Sequence, residues 1–125
     1  MTTTTGLPSG MYRTRLIPAH AGVCLHPRLM LIGTAAGADV VAHELRHAVQ
    51  QRRDGWLRWV WRYFTSRPAR LAYEVDAYAE SARVAPWALP VYASALASPL
   101  YRLGISEQQA YDLIADEVVP ATALG

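Results

Sequence analysis

The stretch DVVAHELRHAVQQ, residues 39–51, contains the most specific pattern in this chain of 125 residues. Apolar residues recur in it at intervals of three and four, which predicts an amphipathic helix that begins near Ala38 and ends before Gly55. On such a helix, His43 and His47 lie one turn apart and project from the same face. The pattern therefore predicts that two imidazoles point toward one place in the fold.

Two imidazoles in this arrangement can share one Zn²⁺ ion. In an HExxH motif the two histidines and a third protein ligand hold the metal, and the fourth position takes a water whose pKa falls toward about 7. Glu44 directly follows His43 and is placed to accept the proton of that water as the catalytic base. The alternative is a chance match on a solvent-exposed helix. The apolar neighbours favour a zinc site at His43 and His47, because they turn the histidine face inward, where metal-free imidazoles would be left unpaired.

The third ligand must come from another part of the chain. The metzincin continuation is absent, since Gln50 and Arg53 stand where its glycine and third histidine would be. Carboxylate candidates occur in LAYEVDAYAESAR, residues 71–83, on another predicted helix. Glu74 has a small alanine one turn further on, which would let two helices approach closely, whereas Asp76 has another acid beside it, as is typical of a solvated face. The pattern favours Glu74 over Asp76.

Turn-forming residues divide the rest of the chain into short apolar runs followed by helical patterns. Ser106 and Gln109 form a capping-box pattern, which marks the start of a terminal helix. We predict an α+β fold that is mostly helical, with a small N-terminal β-sheet packed on the HExxH helix. Residues 1–10 are expected to form a flexible leader, and residues 11–125 a single domain. The predicted strands are residues 11–17, 22–25 and 28–34, and the further helices are residues 56–64, 68–85, 90–97 and 106–119.

Composition narrows the class of protein. Twelve basic and ten acidic residues leave a net charge of +2, which is too small to indicate a nucleic-acid partner. The single cysteine, Cys24, lies in an apolar stretch and is expected to be a buried thiol. The N-terminus has no apolar signal-peptide core, and no apolar run approaches the ~20 residues of a membrane span. We therefore expect a cytoplasmic or virion-associated protein without a transmembrane segment.

Arginines alternate with aromatic residues in RRDGWLRWVWRYF, residues 52–64. One interpretation is a protein partner that binds this segment, because a small chain with four tryptophans cannot easily bury every ring. Nucleic acid is not favoured, since the segment belongs to no recognisable binding module. The structural interpretation is that Arg58 and Arg62 stay solvated while the apolar side chains cover the core, namely Trp56, Trp59, Val60, Tyr63 and Phe64.

The two segments HELRHAVQQRR and YEVDAYAE together resemble the gluzincin metallopeptidases, whose third ligand is a glutamate in an ExxA(D/N)-like segment of a following helix. More closely, residues 23–85 are similar to small HELxHxxQ proteins of bacteria and their phages. The resemblance implies a minimal zincin-like fold in which His43, His47 and Glu74 are the zinc ligands and Glu44 is the general base. It also implies that the strand RLMLIGT is the edge along which an extended peptide substrate pairs.

The sequence departs from the gluzincin pattern at one supporting position. An acidic or amide residue often lies four positions after the ligand glutamate and holds a ligand histidine, but this chain has Tyr78 there. Either the Tyr78 hydroxyl takes over this role, or Asp76 or Asp39 does so, or the site is looser. The resemblance further implies a catalytic electrophile on a later segment, for which Tyr78, Tyr73 and His26 are candidates.

Three functions remain open on the sequence. The first is a zinc-dependent metallopeptidase that hydrolyses an amide in a peptide or peptide-like substrate. The second is a zinc-stabilised structural or interaction protein, such as a phage-particle component, with little or no turnover. The third is a regulatory protease that cuts one dedicated target. The first two differ in whether the fourth zinc position faces an open groove or is blocked by protein.

Overall fold

The computed structural model describes residues 6–119, which form a small sheet and a larger set of helices. The predicted α+β, mostly helical architecture is confirmed. A short 3-10 turn at Pro86–Ala88 precedes the fourth helix. The elements are β1 (Met11–Thr14), β2 (Gly22–His26), β3 (Leu29–Gly33), α1 (Ala38–Asp54), α2 (Trp56–Thr65), α3 (Arg67–Val84), α4 (Leu89–Ala97) and α5 (Glu107–Val118).

Local chemistry explains where the helices begin and end. Gly55 has a φ of 87°, a left-handed value that glycine tolerates, and it separates α1 from α2. The Ser66 side chain accepts a hydrogen bond from the Ala69 N–H at the start of α3. The predicted capping box is present at α5, where Ser106 and Gln109 bond reciprocally. Because of these boundaries, α1 and α3, which carry the two motifs, are separate helices, and they pack against each other.

The order of strands in the sheet is β1-β3-β2. β3 is central, since it pairs in parallel with β1 and antiparallel with β2. The expectation that the RLMLIGT strand is a free edge is therefore wrong, because both sides of β3 already carry ladder hydrogen bonds. β1 and β2 are the two edge strands, and β2 lies against α1.

The sheet packs on the HExxH helix, as predicted. Met11, Met30 and Ile32 are almost fully buried and form a core with Ala48 of α1. Leu7 lies within the predicted leader, yet it is buried in this core, while residues 1–5 lie outside the described residues. A second core joins α3, α4 and α5. Cys24 is buried, as expected, and no helix within residues 6–119 has the length and apolar character to cross a membrane.

The structural interpretation of the Arg/aromatic segment is only partly correct. Trp59 is buried and Val60 and Tyr63 are half-buried against it. Trp56 remains 40% exposed and Phe64 64% exposed. The second helix thus covers the core with one side and leaves large apolar side chains in solvent on the other.

Candidate metal centre

The two motif histidines and Glu74 meet in the interior between α1 and α3. The Nε2 atoms of His43 and His47 are 3.1 Å apart. The Glu74 Oε1 atom lies 3.1 Å from the first of these nitrogens and 3.0 Å from the second. All three residues are buried. The prediction that Glu74 joins the two histidines is confirmed. Together the three residues form a buried group that could hold a metal ion.

This triangle has the size that a metal ion requires. Ligand atoms about 2.0–2.1 Å from a tetrahedral zinc ion lie about 3.3–3.4 Å from one another. The three atoms here lie within a few tenths of an ångström of that spacing. Two imidazole nitrogens and one carboxylate oxygen are also ligand types that Zn²⁺ accepts. The residues present therefore fit a mononuclear divalent metal site.

The charges at this place favour a bound cation. Burial alone would raise the pKa of Glu74, but the His47 charge and the contacts with both histidines outweigh it and hold that pKa below its usual range. Burial alone would lower the pKa of His47, but the Glu74 carboxylate raises it to about 9. Both shifts have one cause, the close contact of the Glu74 carboxylate with two imidazoles, which favours a positive charge at this place.

Gln50 determines which nitrogen of His47 faces the site. Its amide nitrogen donates to the Tyr73 carbonyl and to Asp76 Oδ2, both at 2.9 Å. Its amide oxygen lies 2.9 Å from His47 Nδ1 and accepts from the Trp59 indole at 3.1 Å. Because that oxygen can only accept, His47 must carry its proton on Nδ1. Nε2 is therefore the nitrogen that faces His43 and Glu74, where a metal ion would replace the proton that the imidazolium carries.

Replacing Gln50 with leucine is expected to weaken metal binding by about 10- to 100-fold, because His47 then loses the partner that sets its tautomer and ring orientation. Gln51→Leu is the matched control, since Gln51 is an equally buried amide of α1 that bonds to Cys24 and not to a ligand. Competition titration with a zinc chelator measures both affinities, and thermal melts report stability. Equal zinc affinities in the two variants would show that Gln50 does not orient the ligand.

A tyrosine from α2 holds the other oxygen of Glu74. The Tyr63 hydroxyl donates to Glu74 Oε2 at 2.5 Å, while Oε1 faces the two histidines. The ring of Tyr63 is in turn stacked on Trp59, with ring centroids 4.8 Å apart. One carboxylate oxygen is thus bonded to the protein and the other is left for a cation.

Glu44 lies beside the metal group without joining it. Its side chain is buried, and burial raises the pKa of Glu44 above its usual value against the opposing effect of the two histidine charges. The carboxylate packs against the backbone of Gly22 at the start of β2: a Cβ placed on Gly22 would lie 2.8 Å from Glu44 Oε2. Glycine at this position therefore leaves the space that the carboxylate occupies.

The residues predicted to support the ligands have other partners. The Tyr78 ring packs edge-on against His43, with centroids 4.3 Å apart, but its hydroxyl bonds to the Tyr101 hydroxyl at 2.8 Å. Of the alternatives for this supporting role, the one in which the Tyr78 hydroxyl holds a ligand histidine is therefore contradicted. Asp39 accepts a hydrogen bond from Tyr92. Asp76 acts through Gln50, and it also pairs with Arg46 at 2.7 Å.

The other two candidate electrophiles lie outside the metal group. The Tyr73 hydroxyl donates to Asp54 at 2.6 Å, and its ring stacks on Trp59. His26 is exposed, accepts from the Arg28 N–H and packs against Trp56. Tyr78 and the unpredicted Tyr101 line the same cleft as Glu44 and the metal group, as do Tyr63 and Tyr92.

A cleft of about 1070 Å³ opens over the metal group. The metal group and Glu44 form part of its lining, together with the edge strand β2. Its walls carry apolar side chains from α2 on one side and from α4 and the following loop on the other. These wall residues are Trp56, Val60 and Phe64, and Val91, Ala95 and Leu100.

The sequence predicted no role for Gln50, Tyr63 or Gly22, although Gln50 is the last residue of the HELxHxxQ pattern. Gln50 lies three residues after His47 and so on the same helical face, a signal that could have identified it. No comparable signal marks Tyr63 or Gly22, because their roles depend on contacts between separate elements.

The site defines a candidate HExxH-type metal centre, in which two histidines of one helix and a glutamate of another could hold one ion. No protein-family model, curated protein or solved structure matches the chain.

Proposed function

We propose that this protein is a gluzincin-like, zinc-dependent metallopeptidase that hydrolyses an amide bond in a peptide or peptide-like substrate. The observation that carries the proposal is the meeting of His43, His47 and Glu74 in the lining of an open cleft, with Glu44 beside them. A bound zinc ion would supply Lewis-acid polarisation and a water nucleophile at neutral pH. The open cleft favours this function over a purely structural zinc site, whose coordination is typically closed by protein.

Different residues of the chain bind the metal, orient its ligands and transfer the proton. His43, His47 and Glu74 hold the cation, and Gln50 and Tyr63 orient two of these ligands. Glu44 accepts a proton from the attacking water and passes it to the leaving amine. Its raised pKa suits this role, because a base that must also release its proton works best near the ambient pH. β2 is an edge strand that lines the cleft, so an extended substrate could pair with its Gly22–Val23 end, whereas the Cys24 and Leu25 carbonyls already accept from Gln51 and Trp56.

Metal removal tests the proposal as a whole. The purified protein is expected to contain about one zinc per chain and to cleave members of a mixed peptide library detected by mass spectrometry. Dialysis against a chelator should abolish cleavage, and added Zn²⁺ should restore it. Stoichiometric zinc without cleavage of any peptide would favour the zinc-stabilised structural protein instead. Cleavage that persists in the metal-free protein would contradict the proposal.

Gly22→Ala is expected to lower the hydrolysis rate by about 100-fold while zinc stays bound, because the new Cβ would lie 2.8 Å from both Glu44 Oε2 and Val40 Cγ1 and would displace the Glu44 carboxylate. Gly37→Ala is the control, since a Cβ there meets only Asp39 Oδ1, at 3.2 Å. Peptide cleavage and zinc content are measured on both variants. Full activity in Gly22→Ala would mean that the position of Glu44 does not depend on this glycine.

A further inference from the structure

The outer side of α2 carries three large apolar side chains in solvent. Leu57, Trp61 and Phe64 are 76%, 70% and 64% exposed, and their spacing of three and four residues places them in one strip along the helix. We call these three residues the α2 strip. Trp59, on the opposite side of the same helix, is buried. A contiguous exposed apolar strip of this kind marks a surface that binds something.

The charges around the α2 strip are positive. Arg58 and Arg62 are the ionisable groups of α2 that carry charge at neutral pH, and exposed arginines also precede and follow the helix. The one acid between Arg46 and Arg70, Asp54, accepts hydrogen bonds from Arg53 and Tyr73 and pairs with Arg62 at 3.8 Å. Arg58 and Arg67 take part in no salt bridge within residues 6–119. The strip therefore faces outward from a surface with an excess of positive charge.

We propose that the α2 strip docks the protein on an anionic membrane surface. Helices that lie in the headgroup layer combine Trp, Phe and Leu on one face with arginines beside them, as α2 does. Leu57 and Phe64 would enter the acyl boundary, and the Trp61 indole suits the interface. Arg58 would contact lipid phosphates while its stem lies along apolar surface. The α2 strip is exposed along one short helix, so a flat bilayer surface can cover all of it at once. The arginines beside the strip supply the positive charge that attracts anionic lipids.

Docking in this way would bring the mouth of the cleft to the bilayer. Phe64 belongs both to the α2 strip and to the wall of the cleft. The opposite wall presents Val91 and Leu100, which are 66% and 79% exposed. A membrane-associated peptide would then reach the metal group directly. This consequence rests on the proposed function, whereas the docking itself does not.

Vesicle binding tests the docking independently of hydrolysis. The full chain is incubated with vesicles of phosphatidylcholine alone or mixed with phosphatidylglycerol, and bound protein is measured by flotation. Binding to the mixed vesicles is expected, with a loss of at least about tenfold in Leu57→Ser/Trp61→Ser. Arg58→Gln should lower binding by roughly fivefold, and added salt should weaken it further. Leu16→Ser is the control, since Leu16 is 90% exposed and follows β1 at the other edge of the sheet.

Three results would overturn the proposal. The first is no binding to either vesicle, the second is equal binding to both, and the third is unchanged binding by the double variant. If the protein binds neither kind of vesicle, and sedimentation shows that the wild type self-associates while Leu57→Ser/Trp61→Ser does not, the α2 strip is a protein interface. Circular dichroism of each variant establishes that the fold is retained. Peptide cleavage in free solution without vesicle binding would leave the peptidase function standing and remove only the docking.

Discussion

Glu74→Ala is expected to abolish stoichiometric zinc binding, with a loss of affinity greater than about 100-fold. Loss of an outer partner of a metal ligand already costs about 10- to 100-fold, and Glu74 is placed as a ligand itself. Its Oε1 atom lies 3.0–3.1 Å from both histidine nitrogens, and no other carboxylate of residues 6–119 belongs to that group. Metal analysis of the purified variant and competition titration measure the effect.

Two variants on the same helix serve as controls for Glu74→Ala. Glu80→Ala removes a carboxylate that pairs with Arg83 at the surface, and its zinc content should equal that of the wild type. Asp76→Ala should weaken zinc binding only by the effect of removing one hydrogen-bond partner of Gln50. This variant also tests directly whether Asp76, the alternative candidate, is the third zinc ligand. Glu74→Gln keeps the side-chain volume if alanine disturbs folding. Full zinc content in Glu74→Ala would refute the assignment, as would complete loss in Asp76→Ala alone.

Glu44→Gln is expected to lower peptide hydrolysis by about 100- to 10,000-fold while zinc remains bound. The amide keeps the shape of the carboxylate against Gly22 but cannot accept a proton from water. The effect should fall on kcat more than on KM, because the lost interaction belongs to the transition state. Kinetics on a peptide identified from the library, together with zinc content, separate chemistry from metal binding.

Glu107→Gln provides a matched control for Glu44→Gln. It makes the same chemical change on the exposed first turn of α5, where Ser94 is its partner. It should leave both hydrolysis and zinc content unchanged. Unaltered hydrolysis in Glu44→Gln with zinc in place would exclude Glu44 as the base and leave the metal site intact.

Much of the fold could be predicted from local patterns. Periods of three and four residues marked the helices, and turn formers marked the strands, because both signals depend on neighbours within a few positions. The order in which the strands pair could not be predicted from these local patterns. The expectation for the RLMLIGT strand failed because β1 forms a parallel pair with β3, a contact between residues that are far apart in the chain.

The contacts that support the metal group show the same difference between local patterns and contacts between distant segments. Gln50 shares a helical face with His47, so its position could have been found from spacing alone. Tyr63 reaches Glu74 from a different helix, and Gly22 reaches Glu44 from a strand. Tyr78 does lie on the face of α3 that looks toward α1, as its spacing from Glu74 requires, but packing directs its hydroxyl to Tyr101.

By itself the sequence determined that His43 and His47 project from one helical face with Glu44 between them, since an α-helix repeats every 3.6 residues. It also favoured Glu74 over Asp76, because Glu74 has a small alanine one turn further on and Asp76 has another acid beside it. The tertiary structure alone decided that Glu74 Oε1 meets both imidazoles while Tyr63 binds Oε2. It alone placed β3 in the centre of the sheet and β2 at one edge. Those features depend on how separate elements pack, and packing brings together residues that no local period relates.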